Sequence, residues 1–114
     1  MPPSIVTVIR EDPRTSHRAV EALRIALGLS TGENPLTVVL LGDAPRLLAE
    51  DQDDIQDLEI LEKYLPSFKH LNIPFVVQPG AGQRFSLDGE FTVREAPVQE
   101  ISALVASADR ALAF

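Results

Sequence analysis

The 114-residue chain has no cysteine and no tryptophan, one methionine and one tyrosine. The lack of cysteine removes disulfides, thiolate catalysis, persulfide carriage and thiolate metal sites together. Two histidines remain, His17 and His70. They lie far apart and lack metal-motif spacing, so a zinc site would have to be built on carboxylates. No apolar run approaches the ~20 residues that a membrane helix needs. The opening segment, MPPSIVTVIR, has no basic stretch followed by an apolar one. A signal peptide is therefore not expected, and the expected location is cytoplasmic. Basic excess is missing too. Lys and Arg number 10 against 17 Asp and Glu, a net charge of −7. Nucleic-acid binding needs a basic face, so neither a nucleic-acid nor a membrane partner is expected.

What is present points to a folded domain. Apolar residues make up 45% of the chain, close to the globular average. The length suggests one domain, 1–114, with enough chain for one core. The acids are localised. Glu50, Asp51, Asp53, Asp54, Asp57, Glu59 and Glu62 fall in one segment without a base. The plain reading is a solvated loop and helix start, where carboxylates favour the N-terminal dipole. A partner-docking surface at Asp51, Asp53, Asp54 and Asp57 is the functional alternative.

Strand and helix signals alternate. Ser4–Ile9 (SIVTVI) and Leu36–Leu41 (LTVVLL) read as buried strands. Asp12 and Pro13 read as cap and first position of a helix whose apolar stripe is Ser16, Ala19, Val20, Leu23, Ala26 and Leu27. Gly28 is placed to cap its end. After the loop STGENP and the second strand, Asp43 caps a short helix over Ala44–Ala49. A longer helix is expected over about Asp54–Leu65, with Pro66 ending it or restarting a turn. Ile73–Val77 is a third strand, Gln78–Gly89 a loop and Phe91–Arg94 a fourth strand. Pro97 opens a last helix, and Asp109–Phe114 is a last strand. The pattern predicts an α/β fold: a five-stranded, mainly parallel sheet with helices on both faces.

In such sheets ligands bind beyond the carboxyl ends of the strands. Four loops gather there: Arg10–Pro13, Gly42–Ala44, Gln78–Phe85 and Glu95–Pro97. The third carries glycines but matches neither GxxxxGK[ST] nor GxGxxG. Its glycines read first as a turn needing positive φ. A receiver domain needs an Asp after the third strand, where Gln78 stands, and is rejected. A flavin site is not expected, because the tyrosine, Tyr64, sits on the acidic helix. Glu11, Asp12, Asp43 and His17 are the residues a cysteine-free enzyme would use, yet no pair has a diagnostic spacing. The ligand candidates are Arg10, Gln78, the amides at Gly80 and Gly82, and Arg84, which together suit an anion or nucleotide-like ligand.

Three stretches, AVEALRIALGLSTGENPLTVVLLGDAPRLL, LEKYLPSFKHLNIPFVV and EISALVASADRALAF, resemble the DsrE/DsrF-like family of small sulfur-relay proteins, which includes the TusB, TusC and TusD subunits. The most specific pieces are Glu21-Ala22-Leu23 with Gly28-Leu29, the turn Leu40-Leu41-Gly42-Asp43, and Ala108-Asp109-Arg110 with Phe114. The resemblance implies a three-layer α/β/α sandwich and homo- or hetero-oligomers. It also implies a persulfide-carrying cysteine at the end of the third strand. That position falls at about Gln78, which cannot carry sulfur. The expectation is thus a non-catalytic, oligomer-forming or docking subunit with no cofactor. The alternative is a small-ligand module at the strand ends.

Overall fold

The computed structural model describes residues 3–30, 32, 34–52 and 54–114. Five strands form one sheet: β1 (Ile5–Ile9), β2 (Leu36–Leu40), β3 (Phe75–Val77), β4 (Val93–Glu95) and β5 (Arg110–Ala113). Their order is β4-β3-β2-β1-β5 and every pairing is parallel. β1 lies between the second and the last strand, with Ile5 opposite both Leu36 and Arg110. Its apolar run suits a strand buried on both faces. Ser4 fastens the arrangement, since its amide N–H donates to Asp109 Oδ2 at 2.8 Å.

Alternation along the strands divides the core in two. Ile5, Ile9, Val38, Leu40, Phe75 and Val77 point to one face. That face is covered by α1 (Arg18–Ser30), a 3-10 helix (Ala44–Leu48), α2 (Leu58–His70) and α3 (Ala81–Arg84). Val6, Val39 and Val76 point to the other, beneath α4 (Val98–Ser107). The result is an α/β/α sandwich with one thick and one thin helical layer. Phe75 anchors the thick side, its ring 5.5 Å from Phe68 and 5.9 Å, edge on, from Phe91.

Several helix boundaries differ from the sequence expectation. α1 begins at Arg18, not at Pro13. Asp12 does not cap it: its carboxylate takes the Arg14 N–H and guanidinium, and its carbonyl accepts from Thr15 and Ser16. Those bonds close a separate turn. Ser16 Oγ accepts the Arg18 N–H at 3.1 Å instead. Gly28 lies inside α1, which runs on to Ser30, and so does not cap its end.

The acidic helix is displaced as well. Asp57 has left-handed backbone (φ 58°), so α2 starts at Leu58 rather than Asp54. Pro66 does not stop it. Leu61, Leu65 and Phe68 form one buried stripe, and burying Phe68 carries the helix through the proline to His70. Asp43 makes no side-chain cap bond to the following helix, which is 3-10 rather than α. The stretch expected to be loop from Gln78 contains the single turn α3. The STGENP loop includes Thr31 and Glu33, which lie outside the described residues.

Candidate functional site

The carboxyl edge of the sheet gathers the four loops that the alternation of elements predicts. The loops after β1, β2 and β3 lead to elements on the thick face, while the loop after β4 leads to α4 on the thin one. The helices after β3 and β4 therefore lie on opposite faces, and the boundary between these strands is the switch point of the sheet, near which open α/β sheets bind ligands.

Gln78 stands immediately after β3, on the β2 side of that boundary. Its Oε1 accepts the Gly42 N–H at 3.3 Å, tying the β3 loop to the β2 loop. Gly42 holds φ of 59° and Gly80 of 85°, so both supply the left-handed backbone these turns require. Gln78, Gly80 and Arg84 line one cleft of about 430 Å³ with Gly42, Ala81 and Phe85. Gly82 sits behind it in α3. A Cβ there would lie 3.1 Å from Glu95 Oε2.

The sequence places Glu95 at the start of the fourth loop but not among the ligand candidates. It ends β4 opposite Val77, and its Oε1 accepts the Gly80 N–H at 3.0 Å. The chain thus places one of its own carboxylates against the glycine loop. The register of β4 on β3 is the signal that would have found it.

Arg84 lies at the mouth of the cleft with its guanidinium 4.7 Å from the Phe85 ring centre, and Arg46 lies 5.1 Å from the same ring. Both approach Asp43 Oδ1, at 3.5 and 3.6 Å. Those separations exceed the 2.7–2.9 Å of a strong charge-assisted bond. Arg46 Nε is buried with no hydrogen-bond partner among the described residues. Two guanidiniums thus share one carboxylate loosely across an aromatic ring.

Arg10 does not join this cluster. β1 alternates faces, so Arg10 falls on the thin side with Val8, in a different hollow. The structure brings Gln78, Gly80 and Arg84 together and leaves Arg10 apart.

The acidic segment is tethered rather than loose. The Gln56 N–H donates to the Pro13 carbonyl at 2.7 Å, and Gln56 Nε2 to the Arg14 carbonyl at 3.2 Å. Asp51 and Asp54 line a small hollow with Arg14 and Arg46. Arg14 bonds Asp12 through Nη2 at 2.9 Å. That bond, more than any other influence, holds the Asp12 carboxyl below its usual range. Asp57 is exposed just ahead of α2. Asp53, the fourth acid of the expected docking set, lies outside the described residues. Glu11 is 3.9 Å from Arg18. Among the described residues no group of three or more His, Cys, Asp and Glu side chains could hold a metal ion. No helix among them is long and apolar enough to cross a membrane.

No protein-family model and no curated protein matches this chain. Among solved structures, the crystal structure of the ychN protein from E. coli matches over 100% of both chains, with a TM-score of 0.77 and 23% sequence identity. The two share their fold: a five-stranded parallel α/β sandwich.

Proposed function

We propose that this chain is a DsrE-like protein without sulfur-carrying chemistry. It serves as a non-catalytic subunit that self-associates or docks partners in assemblies of the sulfur-relay type. The observation that carries this reading is Gln78. It occupies the end of β3, where the resemblance places a working cysteine, and its side chain is engaged with Gly42. A carboxamide there holds two loops together and offers no nucleophile. The fold shared with the ychN protein supports the reading. So do the exposed acids Asp51, Asp54 and Asp57, held on a tethered segment where a basic partner surface would meet them.

Native mass spectrometry of the purified chain tests it. The expected result is a closed homo-oligomer, or a hetero-oligomer once DsrE-like subunits are supplied, that loses affinity when Asp51, Asp54 and Asp57 are changed together to Asn. A chain that stays monomeric alone and in such mixtures overturns the reading.

A further inference from the structure

The thin face of the sheet carries a hollow that the reading above does not use. It lies between α4 and the strands β1 and β5 and measures about 480 Å³, within the roughly 300–1,000 Å³ of small-molecule sites. Its walls are apolar: Val8, Leu41, Ile101, Val105, Ala106 and Ala113. Two polar side chains complete the lining, Arg10 and Ser102. No carboxylate among the described residues lines it.

Arg10 is one of three basic side chains, with Lys63 and Arg110, that pair with no acid among the described residues, and of the three it alone lines this hollow. Acids outnumber bases 17 to 10, and most basic side chains have found an acid, as Arg14 has Asp12, Lys69 has Asp88 and Arg94 has Glu100. Arg10 has no carboxylate partner among the described residues. Its backbone is nonetheless fixed, since its N–H donates to the Phe114 carbonyl at 2.9 Å and the neighbouring Ile9 carbonyl accepts from Leu41. Among the described residues the Ser102 hydroxyl donates to no acceptor, and Ser102 lines the same hollow. An exposed guanidinium and an exposed hydroxyl, neither with a side-chain partner among the described residues, therefore border an apolar trough.

We propose that this hollow binds a small amphipathic carboxylate: one anionic head on Arg10, assisted by Ser102, and an aliphatic body along Val8, Leu41, Ile101 and Val105. An oxyanion without an apolar body would leave the trough wet. An uncharged apolar molecule would leave the guanidinium without a partner. The carboxylate class satisfies both parts of the lining. The site stands apart from the Gln78 cleft and does not depend on the subunit reading.

Titration of the intact chain with butyrate, hexanoate and octanoate, followed by amide NMR, tests the proposal. Saturable shifts are expected at residues 8, 10, 41, 101–106 and 113. Affinity should rise roughly fourfold per added methylene, the yield of burying each one. Arg10→Gln should weaken octanoate about tenfold, the scale of a lost charge-assisted bond. Arg110→Gln, which removes a cation outside the hollow, should leave it unchanged. The proposal fails if octanoate gives no saturable shifts, if affinity ignores chain length, or if Arg10→Gln binds as the parent does. It also fails if the same resonances respond to protein concentration and not to octanoate. That result would make a second copy of the chain the occupant.

Discussion

Thr7 lies at the middle of β1 with no exposed surface, and its Oγ1 has no hydrogen-bond partner among the described residues. A buried hydroxyl without a partner costs about 1–3 kcal/mol of desolvation. Thr7→Val keeps the branched shape a strand favours and removes the hydroxyl. The variant should be more stable by about 1–2 kcal/mol, read as a higher urea midpoint with an unchanged slope. At this same scale the sequence was legible in one respect and not in another. Gln78 could be placed at the end of β3 because the apolar run into it is unambiguous. That Arg10 and Arg84 would part could not be seen by grouping residues at one sheet edge. It follows from the pleat, which turns Val8 and Arg10 away from Ile9 and so away from the face that α3 covers.

Elements show where periodicity succeeds and where tertiary contacts overrule it. β1 and β2 are apolar runs bounded by polar turns, and both fell within a residue of the expected span. α2 did not. Proline removes one ladder bond, yet Phe68, two residues later, is 1% exposed, and its burial outweighs that loss. Pro66 itself is exposed, so its ring contributes little to the core. Pro66→Ala restores an N–H donor to the helix interior at the expense of a stiffer unfolded chain. The expected outcome is a net gain of about 1–2 kcal/mol, measured by urea denaturation, with slower amide exchange across Glu62–His70. α3 escaped sequence reading because four residues are too few to set up a helical period. Glu95 escaped because its contact with Gly80 joins two separate loops.

For the whole molecule, acid resistance depends on where the carboxylates are held. Asp88 Oδ1 accepts the Glu90 N–H at 2.9 Å and Oδ2 accepts Lys69 Nζ at 2.9 Å. The Glu90 N–H first, and Lys69 second, hold the Asp88 carboxyl below its ordinary value of 3.8. Lys69 in turn is raised above 10.5, by Asp88 and then Glu90. A carboxyl lowered on folding stabilises the protein above its unfolded pKa, and that stability is lost as pH falls through the folded value. A raised lysine contributes below 10.5, and that contribution is lost at higher pH. Asp88→Asn should therefore be less stable than the parent at neutral pH. The difference should shrink as pH drops below 3.8 and the parent carboxyl protonates. Urea midpoints of both proteins across that range measure it. A constant difference would mean that Asp88 acts through packing alone.

The position of β1 between β2 and β5 has a consequence for translation. β1 and β2 are made early and can pair at once. The other flank of β1 waits for the last of the five strands, about 70 residues after β2, or several seconds at ordinary ribosomal speed. Throughout that interval the nascent chain presents the backbone of an apolar strand as an open edge. Codons that slow elongation between Leu40 and Arg110 should lengthen this exposure and raise the demand for chaperones on the ribosome, with no change in the finished protein.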